Sequence, residues 1–220
     1  MAITRVTGKG RTASLSGEEL AEMRARYETV SVDVGTGDGR FAYHLASTDA
    51  AALVIGLDAL AENMGERAAV AARKPARGGR PNLLLVHAAI EALPAELERV
   101  ADRVYVQLPW GVLLEGIVLA RDAVVGGIAA LCRPGARVTV TLNGEIWVDS
   151  TPTRYAALPV PTPEYVHDVV APGFARFGIR VDPARYSTAA EAKDLPTTWA
   201  RRLGHDRAHP RFVQFAGEAG

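Results

Sequence analysis

The chain has 220 residues, 48% of them hydrophobic, and its 25 basic residues balance its 25 acidic residues. The length and apolar content suit one α/β domain with a buried core, and no apolar run approaches the roughly 18 residues of a membrane span. The single cysteine, Cys132, excludes an internal disulfide and a cysteine-based zinc site. Because the N-terminal segment lacks the apolar stretch of a secretory signal, a cytoplasmic protein is expected.

The first elements predicted along the chain are a β-hairpin and a capped helix. Residues 1–15 are predicted to form a basic hairpin that turns near Gly8-Lys9-Gly10. Ser16 and Glu19 have the spacing of a capping box, in which the two side chains accept hydrogen bonds from each other's backbone N–H groups. A helix is therefore expected to begin directly after the hairpin.

Strand-like and helical patterns then alternate, which indicates a mostly parallel sheet flanked by helices. The predicted strands are 30–34, 53–58, 83–88, 103–108 and 136–142, and the helices between them are about 39–47, 61–73, 91–98 and 115–132. Arg133-Pro134-Gly135 predicts a turn before the fifth of these strands.

The second half of the chain contains two predicted loop insertions. The first, 144–163, is rich in proline, and the second, 187–209, is too long for a tight hairpin. A helix at about 163–175 and strands at 178–186 and 210–216 complete the pattern. We therefore predict one domain over residues 1–220, built on a seven-stranded sheet.

The first long strand breaks into a glycine-rich turn, which is typical of nucleotide-like cofactor sites on α/β sheets. The glycines Gly35, Gly37 and Gly39 are one residue short of the dinucleotide spacing, and a carboxylate at Asp33 would repel a phosphate. S-adenosylmethionine (SAM) instead carries a sulfonium and an ammonium group, and Asp58 would accept from its ribose hydroxyls. The pattern favours SAM over a dinucleotide, and over a tight turn that binds nothing.

Two tryptophans are candidates for contact with a flat substrate. Trp110 follows the fourth strand of the parallel sheet, and Trp199 lies in the polar, basic second insertion. Stacking on a base is worth about 1–3 kcal/mol per aromatic side chain, although a core position is the alternative for Trp110. Leu108 stands where enzymes that methylate exocyclic amines carry Asp or Asn. A ring nitrogen such as adenine N1 needs no such residue and no general base, because its lone pair is already free.

Basic charge is concentrated in the segments 1–17, 73–80 and 201–211. Any one of them is most simply a solvated face, but the three together would bind phosphate if the fold gathers them. His205 and His209 have the only metal-like spacing, and no third ligand is evident, so no metal is predicted.

Five motifs carry a resemblance to a known family. They are Val32-Asp33-Val34-Gly35-Thr36-Gly37-Asp38-Gly39, the loop from Lys74 to Leu84, Leu108-Pro109-Trp110-Gly111, Cys132-Arg133-Pro134-Gly135-Ala136 and Thr198-Trp199-Ala200-Arg201-Arg202-Leu203. In this order they resemble the aminoglycoside-resistance 16S rRNA methyltransferases of the kanamycin-apramycin type, which methylate N1 of adenine-1408 in the decoding site. The resemblance implies a class I SAM-dependent methyltransferase with a Rossmann-like fold.

The resemblance also implies roles for individual residues. The methionine end of SAM would contact Asp33, Gly35 and Gly37, the ribose Asp58, and the adenine ring Ile90 and Glu91, with Leu108 and Thr197 completing the pocket. Trp110 and Trp199 would stack on the target base. The implied RNA-binding residues are Arg5, Lys9, Arg11, Lys74, Arg77, Arg80, Arg201, Arg202 and Arg207.

The implied partner is 16S rRNA within the assembled 30S subunit, bound by a monomer, and the implied product is S-adenosyl-L-homocysteine. No role is implied for Trp147, Arg154 or Tyr155. Three alternatives stay open: methylation of another RNA, methylation of a small-molecule antibiotic intermediate, and a SAM-binding or RNA-binding module without catalysis.

Overall fold

A mixed β-sheet runs through the middle of the protein. The computed structural model describes residues 2–147, 155–188, 191 and 212–220. The strands are β1 (Ala2–Gly8), β2 (Arg11–Ser16), β3 (Thr29–Val34), β4 (Ala52–Asp58), β5 (Leu83–His87), β6 (Ala101–Gln107), β7 (Cys132–Asn143), β8 (Ile179–Val181), β9 (Arg185–Tyr186) and β10 (Phe212–Ala219). Strands β3 to β7 are parallel and lie in the order β5-β4-β3-β6-β7. The predicted α/β class with a mostly parallel central sheet is confirmed.

Antiparallel strands extend this sheet at both edges. The predicted hairpin is formed by β1 and β2, and β1 also pairs with β5. At the other edge, β10 pairs with β7, β8 and β9. The described sheet has ten strands rather than the predicted seven, because the hairpin adds two and the predicted strand 178–186 is interrupted. Pro183, which has no N–H to donate to a ladder, lies between β8 and β9.

Seven α-helices lie in the part of the chain that the structure describes. They are α1 (Gly17–Arg24), α2 (Arg40–Thr48), α3 (Ala61–Ala71), α4 (Gly111–Val118), α5 (Asp122–Leu131), α6 (Pro163–Tyr165) and α7 (Ala171–Ala175). A π-helical turn at Val166–Val170 joins α6 to α7, so these three pieces form the helix predicted at 163–175. None of the described helices is long and apolar enough to cross a membrane.

The capping box at the start of α1 is present as predicted. The Ser16 Oγ accepts from the Glu19 N–H at 3.2 Å, and the Glu19 carboxylate accepts from the Ser16 N–H at 2.7 Å. These hydrogen bonds satisfy two N–H groups that the first turn of a helix leaves without partners. They fix the point at which the hairpin ends and the helix begins.

Three predicted elements are wrong in detail. The helix predicted at 91–98 is replaced by two 3-10 turns, Ile90–Ala92 and Ala95–Leu97, because Pro94 keeps the residue before it extended. The helix predicted at 115–132 is two helices, α4 and α5. The turn predicted at residues 133–135 is a bulge within β7, where the pairing with β6 jumps from Cys132 to Arg137.

The break between α4 and α5 lets the two helices fold back on each other. Ala120, between them, has a φ of 47°, a conformation that non-glycine residues seldom adopt. The return is possible because Gly116 has no side chain: a Cβ there would lie 2.3 Å from Val124. The contact between the helices therefore depends on one glycine.

Alternating residues of the central strands pack against helices on opposite faces of the sheet. Leu53, Ile55 and Leu57 of β4 belong to the larger buried cluster, which includes residues of α1, α4, α5 and α7. Val54, between them, packs in a smaller cluster with residues of α2 and α3. Such alternation is the two-residue period of a strand buried on both faces.

Gly127→Ala is expected to destabilise the fold, whereas Gly126→Ala is expected to be nearly neutral. A Cβ on Gly127 would lie 2.0 Å from the Ile90 carbonyl oxygen, but one on Gly126 would lie 3.1 Å from the Phe177 ring. Overpacking of this kind costs about 1–3 kcal/mol, which lowers the melting temperature by roughly 2–4 °C per kcal/mol in a chain of this size. Thermal unfolding of the two variants measures the difference in their melting temperatures. Equal melting temperatures would contradict the close approach of α5 to the 3-10 turn at Ile90–Ala92.

Candidate functional site

A cavity of about 590 Å³ opens at the carboxyl ends of the parallel strands. It lies next to the β3–β6 pair, where the strand order reverses, and open α/β sheets bind ligands at this point. Residues 33–38, 57–60, 88–91 and 107–113 supply most of its lining. The topology thus brings together four loops that are far apart in the sequence.

All the predicted cofactor residues that the structure describes line this cavity. They are Asp33, Gly35, Gly37, Asp58, Ile90, Glu91 and Leu108. Thr197 and Trp199 lie outside the described residues, as do Arg201, Arg202 and Arg207.

The glycine turn after β3 is shaped by hydrogen bonds to the end of β4. The N–H groups of Gly35 and Thr36 donate to the Leu57 carbonyl at 2.8 and 3.0 Å, and the Gly37 N–H donates to the Asp58 carboxylate at 2.8 Å. Gly35 and Gly37 have φ values of 71° and 57°. Because glycine adopts this conformation without steric cost, the turn stays tight and leaves room for a ligand.

Asp33 is the buried acid of the site. It is 2% exposed, and its carboxylate accepts from the Thr36 hydroxyl at 2.5 Å. Burial raises the pKa of Asp33 to about 7, and the hydrogen bond from Thr36 opposes this rise only in part. A carboxylate held in this way at the wall of a cavity favours a cationic ligand, because a cation would restore the stabilisation that water gives to an exposed acid.

Asp58 presents a second carboxylate to the same cavity. Its two oxygens accept from the N–H groups of Gly37 at 2.8 Å and Leu60 at 2.9 Å. Burial raises the pKa of Asp58, and these two hydrogen bonds act in the opposite direction. Each oxygen retains a lone pair for a hydroxyl donor, as the sequence analysis expected of a ribose-binding acid.

Trp110 lies at the mouth of the cavity, directly before α4. Its side chain is 37% exposed, which does not fit the alternative of a core tryptophan. The neighbouring Leu108 is buried, and its φ of 49° bends the chain sharply after β6. This bend places the indole at the edge of the cavity instead of in the core.

Several residues of the site were missed by the sequence analysis. The Thr36 hydroxyl holds Asp33, and its signal was a hydroxyl residue three positions after the acid. Leu60 and Asn63, after β4, line the cavity but form no recognisable motif. Tyr155 contacts Trp110, with ring centroids 5.7 Å apart, and no local pattern marks it because it is distant in the chain.

Two of the three basic segments meet beside α3. Lys9 and Arg11 of the hairpin, together with Arg67 and Arg73, line a second cavity of about 550 Å³. Lys9 forms an exposed ion pair with Glu66, with 3.2 Å between Nζ and the carboxylate. The hairpin can lie this close to α3 because Gly65 has no side chain: a Cβ there would lie 2.8 Å from the Lys9 Cα.

The loop at residues 73–80 is held by α2. The Tyr43 hydroxyl donates to the Gly78 carbonyl at 2.7 Å, and the Arg80 guanidinium lies 4.9 Å from the centre of the Tyr43 ring. The Arg80 Nε also donates to the Ser47 hydroxyl at 2.7 Å. Lys74 and Arg77 are exposed on the same loop. Arg80 therefore anchors the loop, whereas Lys74 and Arg77 are accessible to a partner.

Arg5 differs from the other basic residues of the hairpin. It is half-buried in β1, where its neighbours are Ala13 in β2 and Val86 in β5. Hydrogen bonds from Ser16 and, to a smaller extent, the charge of Arg5 lower the pKa of Glu19. Part of the Arg5 charge thus acts within the fold.

Within the described ranges, no group of three His, Cys, Asp or Glu side chains is arranged to hold a metal ion.

Comparisons with known proteins all point to one group of enzymes. A family model described as NpmA: 16S rRNA (adenine(1408)-N(1))-methyltransferase matches residues 4–217. A 16S rRNA (adenine(1408)-N(1))-methyltransferase of Streptoalloteichus tenebrarius is 40% identical over 203 residues, which cover 92% of this chain and 93% of the relative. An Escherichia coli protein of the same description is 30% identical with the same coverage.

Solved structures agree in fold. A mutant 16S rRNA (adenine(1408)-N(1))-methyltransferase from Catenulisporales acidiphilia, crystallised with its cosubstrate SAM, superposes with a TM-score of 0.90 at 37% identity, covering 99% of this chain and 97% of that one. The 16S rRNA methyltransferase KamB gives a TM-score of 0.90 at 38% identity, covering 99% of this chain and all of KamB.

Asp33→Asn is expected to stabilise the protein by an amount that grows with pH. The pKa of Asp33 in the folded protein, about 7, lies above the roughly 3.9 of an unfolded aspartate. The folded state therefore binds more protons between these values, and the wild type loses stability as the pH rises from about 4 to 7. Above pH 7 the variant should be more stable by up to about 4 kcal/mol.

Urea unfolding of both proteins from pH 5 to pH 8 tests this expectation. The Glu22→Gln variant, at an exposed position of α1, serves as a control for the loss of one negative charge. A stability difference between Asp33→Asn and wild type that does not change with pH would show that burial does not raise the pKa of this acid.

Proposed function

Because the chain belongs to the 16S rRNA (adenine(1408)-N(1))-methyltransferase family, we propose that it transfers a methyl group from SAM to N1 of adenine-1408 in 16S rRNA. The observation that carries the proposal is the pairing of a buried carboxylate, Asp33, with an exposed indole, Trp110, on one cavity. The carboxylate suits a cationic methyl donor, and the indole suits a flat base.

The residues of the cavity fit SAM. The Asp33 carboxylate would receive the ammonium group, and the free lone pairs of Asp58 would receive the ribose hydroxyls. At Gly37 a Cβ would project into open space, with no atom within 4 Å, so the turn leaves room for the methionine end of the ligand. The buried Ile90 gives the adenine ring an apolar surface.

The chain contributes to the reaction mainly by holding the target base in position. When bound, SAM supplies the methyl group of its sulfonium, which passes to the lone pair of adenine N1 and leaves S-adenosyl-L-homocysteine. Trp110 would stack on the flipped base from one side, and Trp199, which the sequence analysis assigned to the second stack, would close the other. No general base is needed, because N1 carries no proton at neutral pH.

We assign the assembled 30S subunit as the substrate, acted on in the cytoplasm by a monomer. Lys9, Arg11 and Arg73 lie together beside α3, and Lys74 and Arg77 are exposed on the adjoining loop. Cations on separate elements contact phosphates at scattered points, so they recognise the shape of a folded RNA rather than its sequence.

The methylated adenine carries a positive charge and lacks its N1 acceptor, and both changes weaken the binding of cationic aminoglycosides.

Purified protein and tritiated SAM should label intact 30S subunits and label protein-free 16S rRNA far less. Because N1 methylation blocks base pairing, reverse transcription should stop one nucleotide 3′ of adenine-1408. Subunits with guanine at this position are the matched control and should remain unlabelled. Label without this stop would overturn the assignment to N1 of adenine-1408, and label in free RNA alone would overturn the 30S assignment.

Trp110→Ala should lower kcat by roughly 5- to 150-fold, the equivalent of about 1–3 kcal/mol of base stacking. Trp110→Phe keeps an aromatic face and should retain most of the activity. The affinity for SAM, measured by calorimetry, should be unchanged in both variants. If the alanine and phenylalanine variants were equally slow, stacking would not be the role of this side chain.

A further inference from the structure

The first N–H group of α4 is capped by a residue from a distant part of the chain. Trp110 occupies the N-cap position, and its side chain makes no capping hydrogen bond. The Gly111 N–H instead donates to the Tyr155 hydroxyl at 2.7 Å, across 44 positions of sequence. Helix caps are usually supplied locally by Ser, Thr, Asp or Asn, so this distant hydroxyl ties the peptide after Trp110 to the first loop insertion.

The same tyrosine also packs on the indole. The centres of the Tyr155 and Trp110 rings are 5.7 Å apart, and the ring planes are inclined at 52°. Tyr155 is 4% exposed, whereas Trp110 is 37% exposed. A buried ring thus supports an exposed one, which leaves the indole at the cavity mouth with part of its surface available to a substrate.

Tyr155 is in turn held by hydrogen bonds within the first loop insertion, residues 144–163. The Trp147 indole N–H donates to the Leu158 carbonyl at 2.9 Å, and the Leu158 N–H donates to the Tyr155 carbonyl at 2.9 Å. Trp147 and Leu158 both pack against the main core cluster. These bonds connect the 3-10 turn after β7 to the turn that carries Tyr155.

We propose that Tyr155 is a positioning residue that holds Trp110 in its stacking orientation, and that Trp147 fixes the turn from which Tyr155 acts. The proposal rests on the function proposed above. An indole that is fixed in advance loses less conformational freedom when the base arrives. Loss of the support should therefore slow methyl transfer after docking, while the basic surface and the SAM cavity remain intact.

Tyr155→Phe tests the hydroxyl with the ring volume unchanged. With 30S subunits and tritiated SAM, we expect kcat to fall about 5- to 20-fold, while KM for 30S and the dissociation constant for SAM stay within twofold. Tyr165→Phe is the matched control, since its hydroxyl donates to the Val118 carbonyl at the opposite end of α4, and its kcat should equal that of the wild type.

A double-mutant cycle separates positioning from general stabilisation. In single-turnover reactions with enzyme in excess, Tyr155→Phe should cause no further loss in a Trp110→Ala background. Trp147→Phe, which lacks the indole N–H, should lower the single-turnover rate constant in the wild-type background. It should have no effect in the Trp110→Ala background.

A wild-type kcat in Tyr155→Phe, or losses that add in the double variant, would overturn the positioning role. Failure of the wild type itself to methylate 30S subunits would instead overturn the proposed function.

Discussion

The burial of one acid at the open end of the sheet is the constraint on which the site depends. Asp33 lies in the buried run Val30–Val34 of β3, and its carboxylate accepts hydrogen bonds from the Thr36 hydroxyl in the turn that follows and from the Ala42 backbone in α2. Asp33 pairs with Gly56 of β4 and Tyr105 of β6, so it is enclosed by a strand on either side. The arrangement costs stability in the empty protein, and a cationic ligand bound at this acid, as proposed, would recover that cost. Folding and the proposed role of Asp33 in cofactor binding thus have opposite requirements for one side chain.

Much of the fold could be predicted because its signals are local. The capping box at Ser16 and Glu19 is complete within four residues, and the glycines that permit the turn at residues 35–39 are a local pattern, so the sequence alone indicates both. The break between α4 and α5 could not be predicted, since it depends on Gly116 meeting Val124 across two packed helices. The hairpin was foreseen, but not its place at the edge of the sheet, because pairing of β1 with β5 is a contact between distant segments.

The same distinction between local signals and distant contacts applies to the residues of the site. Asp33 and Asp58 could be predicted because each lies at the carboxyl end of a strand, and the ends of parallel strands meet at one edge of the sheet, whereas the role of Ile90 was implied by the family resemblance alone. Tyr155 could not be predicted, since its contact with the peptide after Trp110 joins residues 44 positions apart in the sequence. The acids expected to bind the cofactor could therefore be predicted from the ends of the strands. The proposed support of Trp110 comes from Tyr155 in the first loop insertion, whose sequence pattern is weak.

Helix α2 has a consequence for the geometry of the whole reaction. It begins directly after Gly39, the last glycine of the cofactor turn. Within its nine residues, Tyr43 and Ser47 form hydrogen bonds with Gly78 and Arg80 of the basic loop. At about 1.5 Å per residue, a helix of this length spans roughly 13 Å and does not stretch. The separation between the cofactor turn and the basic loop at residues 73–80 is therefore set by one rigid element. If that loop binds RNA phosphates as proposed, a target base is within reach of the methyl donor only when it lies at a matching distance from the backbone, and α2 would then restrict methylation to one geometry of RNA.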